Sequence, residues 1–345
     1  MTTIRDRGKA IRTFIVENLD KHSTDIARMA AQKFECSRQA VHKHLHKLVE
    51  EGVLSAEGRT RNKVYRLAPL VTWEKTYPLA GLAEDGVWRD DISSVLGKLS
   101  DNAMAIWQYG FTEMLNNAID HSGGSAVTVK LEKTAAATRI FVLDDGVGIF
   151  KKIQGALSLA DERHAVLEIA KGKCTTDPAN HSGEGIFFSS RMFDEFLILS
   201  HGVFFSHKFG EDEDGIMQLP SPAKGTGVLM RLHNHTSRSD RKVFDQFTSG
   251  EGYGFTKTVV PVELMRYGDD NLISRSQAKR PLARFDRFAV VVLDFSGVAM
   301  IGQAFADEVF RVFRRKHPEV ELRVHKANAE VRRMISRVDA ASPAT

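Results

Sequence analysis

The segment 101–121, DNAMAIWQYGFTEMLNNAIDH, places a carboxylate, a carboxamide and an imidazole at intervals of four residues. Glu113, Asn117 and His121 therefore share one face of a helix. A carboxylate one helical turn from a carboxamide can position a water molecule and a magnesium ion together. Apolar residues at helical spacing predict a second, buried face of the same helix: Trp107, Phe111, Leu115 and Ala118.

Three glycine-rich motifs follow this helix. Residues 139–143 are typical of a strand, which leads into residues 144–149, DDGVGI. An aspartate at a strand end, here Asp144, can accept a hydrogen bond from an exocyclic amine such as that of adenine. The glycines after it let the backbone approach a flat ring. Two later turns, HSGEGIFF at 181–188 and KGTG at 224–227, can cradle phosphate oxygens with their backbone N–H groups.

In this order, the helix and the three glycine motifs resemble those of the GHKL ATPases. That family includes gyrase, Hsp90, histidine kinases, the MutL mismatch-repair proteins and the anti-sigma-factor serine kinases. The resemblance runs from about Trp88 to Leu232. It implies a Bergerat fold, an α/β sandwich with helices on one face of a mixed sheet, in a domain spanning residues 78–245. It also implies ATP and Mg²⁺ as cofactors.

The resemblance gives each matching residue a role. It implies that Asn117 binds the magnesium ion, that Glu113 is the catalytic general base, and that Asp144 reads adenine. The other implied cofactor-binding positions are Gly146 and Gly148 at the base, Gly183 and Gly185 on the phosphate side, and Gly225 and Thr226 in the last turn.

Residues 150–182 correspond to the lid that closes over ATP in this family. Lys173 lies in this stretch, where its ammonium group either reaches the terminal phosphates or is solvated in a mobile loop. We interpret His121 as a structural residue or a neighbour of the phosphates rather than as a phosphoacceptor. The chain carries no Walker lysine motif, which excludes a P-loop site.

The first 70 residues are basic. They hold fourteen Lys and Arg against eight Asp and Glu, a balance of +6, whereas the whole chain carries +4. Apolar spacing predicts a helix over 5–20, a second helix capped by Ser23 or Thr24, and a third over 38–51 capped by Ser37. Gly52 suits a left-handed end for the third helix, and two short strands with a basic turn follow.

Three helices followed by a basic hairpin resemble a winged helix-turn-helix domain, which we place at residues 1–70. The resemblance implies that the third helix enters the major groove of double-stranded DNA and that the hairpin touches its backbone. An alternative use of such a domain is dimerisation or protein contact. By position, the DNA-binding residues are Arg38, Gln39, His42 and Lys43 on the helix and Arg59, Arg61 and Lys63 on the hairpin.

Residues 68–77 are predicted to be a linker, because Pro69 and Pro78 flank them. After a glycine-containing connection at 245–265, the pattern strand–helix–strand–helix indicates a small α/β domain at 260–340. Its strand FAVVVL leads into DFSGV, which resembles the phosphorylation region of STAS-like domains, including the anti-anti-sigma factors. Ser296 is therefore either a phosphoacceptor or the N-cap of the next helix.

Composition narrows the class of protein. Hydrophobic residues make up 42% and charged residues 27% of the chain, which is typical of a globular protein. Two distant cysteines argue against a disulfide framework or a zinc cluster. The sequence shows no signal peptide and no apolar run long enough to span a membrane, so we expect a cytoplasmic protein with an α+β, multidomain fold.

Three functions fit these features. The first is a DNA-binding regulator whose winged helix is controlled by Mg-ATP. The second is a protein serine kinase of anti-sigma type, in which Glu113 takes the hydroxyl proton and Ser296, or a partner's STAS-like domain, is the target. The third is a clamp ATPase similar to gyrase or MutL, which predicts nucleotide-dependent homodimers. A two-component sensor kinase does not fit, because a winged helix stands where its phosphoacceptor helix would be.

Overall fold

The computed structural model describes residues 4–58, 63–177, 182–210, 215–218, 224–248, 254–265 and 272–340. Its strands form a two-stranded, a three-stranded and a seven-stranded sheet, with helices before, between and after them in the chain. The protein therefore has a mixed α+β fold with several sheets. Within these ranges, no helix has both the length and the apolar character needed to cross a bilayer.

Three helices and a hairpin form the N-terminal part. They are α1 (Ile4–Asn18), α2 (Ile26–Lys33), α3 (Arg38–Glu50), β1 (Leu54–Glu57) and β2 (Val64–Leu67). The hydroxyl oxygen of Ser37 accepts a hydrogen bond from the amide of Ala40 at 3.1 Å, which caps α3 as predicted. Gly52 has a φ of +71° and ends that helix in the expected left-handed conformation. These elements pack around a hydrophobic core of their own.

The start of α2 differs from the prediction. Neither Ser23 nor Thr24 caps this helix, because it begins at Ile26 after Asp25, whose side chain makes no capping bond. The carbonyl of Ser23 instead accepts a hydrogen bond from the amide of Tyr65 in the hairpin at 3.0 Å. The turn before α2 therefore holds the hairpin rather than opening the helix.

The predicted linker at 68–77 is wrong. Residues Val71–Pro78 form strand β3, which pairs along its whole length with β4 (Ala126–Lys133) of the central sheet. β3 is an edge strand, and Pro78 is its last residue. A proline at that place costs the ladder no hydrogen bond. The proline signal therefore marked the ends of a strand, and the central unit begins before residue 78.

The central sheet has seven strands in the order β3-β4-β5-β9-β6-β7-β8, and all of its described pairings are antiparallel, so it is not the mixed sheet that was expected. β9 lies between β5 and β6, although it is the last of these strands in the chain. The end of β5 therefore meets the start of β9, with Leu143 opposite Gly227. The remaining strands are β5 (Ala137–Asp144), β6 (Glu195–Ser200), β7 (Val203–Lys208), β8 (Gly215–Gln218) and β9 (Thr226–His233).

The central helices cover the apolar side of this sheet. They are α4 (Glu84–Val87), α5 (Ser93–Leu96), α6 (Asp101–Asn116), α7 (Ile149–Ala156), α8 (Glu162–Lys171), α9 (Gly185–Met192) and α10 (Asp240–Gln246). A π-helical turn, Trp88–Ile92, joins α4 to α5, and another, Asn117–His121, continues α6. The predicted apolar face of this helix is buried at Trp107, Phe111, Leu115 and Ala118.

The C-terminal part contains a parallel sheet, β10-β11-β12. Its elements are β10 (Lys257–Pro261), α11 (Arg275–Leu282), β11 (Val290–Asp294), α12 (Gln303–Ala306), α13 (Arg314–Lys316), β12 (Glu321–His325) and α14 (Ala329–Ala340), and a π-helical stretch, Asp307–Phe313, joins α12 to α13. The interpretation of 245–265 as a connection is therefore wrong in part. It contains β10, and a boundary at residue 260 falls inside that strand.

Aromatic side chains join the central and C-terminal parts into one continuous core. Phe187 on α9 lies 4.5 Å, between ring centroids, from Phe255, which precedes β10. Phe255 in turn lies 5.3 Å from Phe288, which precedes β11. Because these rings are buried against each other, the two parts share a core rather than meeting at a polar surface.

Candidate functional site

A cavity of about 280 Å³ opens where β5 ends and β9 begins. Its size is just below the range of pockets that hold small molecules, roughly 300–1,000 Å³. The wall comes from stretches that are far apart in the sequence: α6 with its π-helical turn, β5, α7, residues 174–176, residues 182–186, β6 and β9. Its polar lining residues are Glu113, Asn117, His121, Ser122, Asp144, Lys152, Thr175, Thr176, Ser182 and Thr226.

Glu113, Asn117 and His121 all line the cavity, on the face that their spacing predicts. The helix changes from α to π geometry at Asn117. Such a turn adds a residue to the helical repeat and is often found at functional sites. Within the described residues, the amide of Asn117 donates only a long contact to the sulfur of Met114, at 4.0 Å. The Asn117 carboxamide is thus available to a ligand in the cavity.

Gly185 allows the carboxylate of Glu113 to lie against the first residue of α9. A methyl group at position 185 would lie 1.9 Å from Oε2 of Glu113, well inside the contact distance. The absence of a side chain there brings the acidic group and the start of a helix to the same wall of the cavity. The sequence pattern predicted both residues, and the fold explains why the second is a glycine.

Asp144 lies at the end of β5 with its carboxylate in the lining. Oδ1 accepts hydrogen bonds from the amides of Gly146 at 2.9 Å and Thr226 at 3.2 Å. Burial raises the pKa of Asp144 above its ordinary value, and these two amides oppose that rise. The hydroxyl of Thr226 accepts a hydrogen bond from the amide of Ile149 at 3.0 Å. Asp144, Thr226 and the start of α7 therefore form one fixed unit.

Three of the predicted glycines stand behind the lining rather than in it. A Cβ at Gly225, whose φ is +76°, would lie 1.9 Å from the carbonyl oxygen of Asp144. A Cβ at Gly146 would lie 2.3 Å from the carbonyl oxygen of Ser122, and Gly148 turns the chain into α7 with a φ of +87°. Their role in this structure is to let backbone segments close around Asp144.

Gly183 joins the two loop segments of the wall. Its φ is +72°, and its carbonyl accepts a hydrogen bond from the amide of Cys174 at 3.0 Å. A Cβ at this position would lie 2.5 Å from the carbonyl carbon of Cys174. Residues 174–176 and 182–185 are therefore held side by side at the cavity.

Lys173 does not line the cavity, which contradicts its predicted role at the phosphates. Its ammonium group donates to the carbonyl of Arg287 at 3.0 Å and lies 4.9 Å from the ring centroid of Phe288. The backbone turns at this residue, with a φ of +51°, and directs the side chain to the C-terminal part. Burial lowers the pKa of Lys173, and the nearby carboxylate of Glu184 partly opposes this lowering.

Lys152 is a lining residue that the sequence analysis missed. It lies in α7, and its ammonium group donates to the carbonyl of His121 at 2.8 Å. The available signal was its place on the helix that starts directly after the DDGVG motif. A cation here can balance the charge of an anionic ligand.

Among the described residues, no group of three or more His, Cys, Asp or Glu side chains is arranged to hold a metal ion by itself. Mg²⁺ commonly binds through one or two protein oxygens together with phosphate oxygens and water. Glu113 and the carboxamide of Asn117 in one wall fit that mode of binding. They would hold the ion with a phosphate ligand rather than without one.

The second predicted site lies on α3. Arg38, Gln39, His42 and Lys43 are exposed, and their side chains make no hydrogen bond or ion pair with the parts of the chain that the structure describes. Lys63 is half-buried, with its ammonium group 5.2 Å from the ring centroid of Tyr65. Arg59 and Arg61, predicted for the same surface, lie outside the described residues.

Ser296 lies in the turn after β11. Its amide and its hydroxyl both donate to Oδ1 of Asp294, at 2.9 and 2.7 Å. The next helix begins at Gln303, preceded by Gly302. The interpretation of Ser296 as a helix N-cap is therefore wrong, because six residues separate it from that helix start. The side chain is half-buried and belongs to an aspartate turn.

Comparison with known proteins identifies one segment. Residues 277–332 match a family described as a STAS-like domain of unknown function (DUF4325). The match begins within α11 and ends within α14, so it includes β11, Ser296 and β12. The protein thus contains a STAS-like domain in its C-terminal part. No curated protein matches the chain.

Proposed function

We propose that this protein is an ATP-binding regulator that binds double-stranded DNA through its N-terminal helices. The observation that carries the proposal is the convergence of Glu113, Asn117, Asp144 and Thr226, with residues 182–185, on one cavity. These residues come from four separate motifs of the sequence, which together predict contacts to magnesium, adenine and phosphates. We further propose that the seven-stranded sheet and its helices are a Bergerat fold of the GHKL type.

The chemistry of the cavity is suited to adenine at one end. Asp144 is half-buried and held by two backbone amides, so its carboxylate can accept a hydrogen bond from the exocyclic amine of the base. Val142, Ile198 and Val228 line the same region and supply apolar contact for a flat ring. Desolvation of the carboxylate is offset when a donor binds it, which favours a base that carries an amine.

The other end of the cavity is suited to phosphates. Residues 182–185 present backbone and hydroxyl groups beside Thr175 and Thr176, and Lys152 adds a cation. Asn117 and Glu113 would hold Mg²⁺, which supplies neutralisation of phosphate charge when bound. Glu113 can also take a proton from a water molecule or a hydroxyl group that approaches the terminal phosphate.

The exposed face of α3 supports DNA as the macromolecular partner. Arg and Lys side chains without an internal partner lose few contacts when they bind phosphates, and Arg and Gln can form paired hydrogen bonds with guanine and adenine. We propose that the three helices and the hairpin form a winged helix, with α3 in the major groove. The alternative use of this face is contact with a protein.

Nucleotide binding is tested by titrating ATP and Mg²⁺ into the wild-type chain and into Asp144→Asn. We expect the variant to lose at least tenfold in affinity. Asp145→Asn is the matched control, because the Asp145 carboxylate bonds Ser125 and lies outside the lining. Equal affinity of the wild type and Asp144→Asn would contradict the assignment of the adenine end.

DNA binding is tested by mobility shift at several salt concentrations. A variant that loses two phosphate contacts should bind all DNA sequences more weakly. Its plot of log K against log salt concentration should be less steep by about 2. The variant is Arg38→Ala with Lys43→Ala. The control removes the same charge from strands of the central sheet, by Lys130→Ala with Arg139→Ala. Unchanged DNA binding in the first variant would leave protein contact as the use of α3.

Phosphoryl transfer to protein is a second candidate. It is favoured by Glu113 in the cavity and by a half-buried serine, Ser296, whose hydroxyl donates to Asp294 within the matched STAS-like domain. Intact mass after incubation with Mg-ATP tests it. A phosphate adduct that is absent in Glu113→Ala and in Ser296→Ala supports the kinase, and no adduct in a sample that binds ATP removes self-phosphorylation.

A further inference from the structure

The loop that walls the phosphate end of the cavity is bound on its other side by the C-terminal part. Lys171, the last residue of α8, is 1% exposed. Its ammonium group donates to Glu168 at 2.5 Å and to the carbonyl of Ala283 at 3.0 Å. The hydroxyl of Thr258 on β10 donates to the carbonyl of Lys171 at 2.6 Å. The end of α8 is thus tied to β10 and to the turn that follows α11.

Arg284 makes the most direct connection. Its guanidinium donates to Glu168 at 2.9 Å and to the carbonyl of Lys173. Arg284 has a φ of +70°, a conformation that is unfavourable for a residue with a side chain. The surrounding contacts hold it there, and the turn points the guanidinium at the loop rather than at solvent. Its side chain is only 17% exposed.

One peptide bond separates the residue that Arg284 holds from the cavity. Lys173 supplies the carbonyl, and the next residue, Cys174, lines the cavity together with Thr175 and Thr176. Burial raises the pKa of the Cys174 thiol, and the neighbouring guanidinium of Arg284 opposes that rise. Arg284 therefore bonds the backbone just before the wall and lies near a side chain within it.

We propose that Arg284 is a positioning residue for the nucleotide, through which the C-terminal STAS-like part regulates occupancy of the cavity. The inference rests on the proposed nucleotide site and adds its regulation. While Arg284 is engaged, residues 174–176 lie against 182–185 and the phosphate end is formed. When a partner that binds the C-terminal part releases Arg284 from the carbonyl of Lys173, this wall loses its support and affinity for ATP falls. By linkage, bound ATP tightens the engagement of Arg284.

The first experiment is hydrogen exchange of the full wild-type chain, with and without ATP and Mg²⁺. Nucleotide should slow hydrogen exchange in residues 171–176. It should also slow exchange in residues 275–287, although no residue of 275–287 lines the cavity. Protection limited to the cavity would overturn the inference while leaving the nucleotide site in place. Absence of ATP binding to the wild type would overturn both the site and its regulation.

The second experiment compares ATP affinity among arginine variants. Arg284→Ala should weaken ATP binding about tenfold or more. The exposed guanidinium of Arg287 also bonds the carbonyl of Lys173, at 3.3 Å, so Arg287→Ala should weaken ATP binding to a smaller extent. Arg275→Ala is the matched control, because Arg275 pairs with Asp307 inside the C-terminal part. A cooperative thermal unfolding transition is the control that each variant is folded. Wild-type affinity for ATP in the folded Arg284→Ala variant would refute the role of Arg284.

Discussion

The two ends of the chain are attached to the central sheet in different ways. The N-terminal helices and hairpin have a core of their own, and Asp20 reaches the sheet by an ion pair with Arg231 on β9. A cleft of about 630 Å³ lies between these two parts. The C-terminal part instead continues the core of the central part, and its Arg284 adds an ion pair with Glu168 on α8.

This difference indicates which end can move. Burial of apolar side chains stabilises an interface far more than a partly exposed ion pair does. The C-terminal part should therefore unfold together with the central sheet, whereas the N-terminal part can change its orientation at small cost. Under the proposed function, a ligand that binds the two orientations with different affinity would shift the N-terminal part between them.

The largest expected effect is that of Phe187→Ala. Removal of a fully buried aromatic side chain from a core typically costs about 3–5 kcal/mol. Because Phe187 packs on Phe255, and Phe255 on Phe288, the central and C-terminal parts should lose stability together. Urea unfolding, monitored through the hydrogen exchange of β6 and β11, measures this loss of stability in the two parts. A drop confined to β6 would show that the shared core does not couple the two parts.

Leu45→Ala should affect the other core, at a cost of about 2–5 kcal/mol. Leu45 is fully buried among the N-terminal helices. The three tryptophans, Trp73, Trp88 and Trp107, all lie in the central part. The tryptophan fluorescence transition should therefore stay where it is, while proteolysis within residues 4–58 becomes faster. A shifted fluorescence transition would mean that the two cores unfold as one.

Asp144→Asn should raise stability at neutral pH while it weakens nucleotide binding. Burial raises the pKa of Asp144 in the folded protein. The folded state therefore binds more protons, and the charged carboxylate destabilises it increasingly as pH rises above the ordinary value of 3.8. The asparagine oxygen can still accept the two amide hydrogen bonds. The melting temperature of the variant should exceed that of the wild type at pH 7, and the difference should shrink towards pH 4.

The smallest effect is expected for Asp20→Asn. An ion pair with one partner 42% exposed contributes about 0–1 kcal/mol. The melting temperature should hardly change, but the weakened attachment should alter how far ATP changes DNA affinity. Mobility shifts with and without ATP measure this. A loss of stability as large as that of Leu45→Ala would show that the N-terminal part is firmly docked.

The glycine motifs and the helix at 101–121 could be located from the sequence because their signals are local. Spacing of four placed Glu113, Asn117 and His121 on one helical face, and the structure brings all three to the cavity. Ser37 and Gly52 marked the ends of α3 through capping chemistry that needs no distant partner. The motifs also predicted part of the cavity lining, namely Glu113, Asn117, Asp144, Gly183, Gly185 and Thr226.

Other features depend on partners that are far away in the chain. The prolines at 69 and 78 predicted a linker over residues 68–77, yet residues 71–78 form a strand because β4 offers an edge to pair with. Lys173 is in a loop suited to a phosphate contact, but Arg287 and Phe288 bind its ammonium group instead.

By itself, the sequence determined the local elements and the chemistry of the polar face on α6, because helical periodicity and capping depend on neighbouring residues. Only the tertiary structure decided that β9 inserts between β5 and β6, which brings Thr226 to Asp144. It also decided that Arg284 stands behind the cavity wall, because that contact joins residues 111 positions apart. Such pairings depend on the whole core, and no local pattern specifies them.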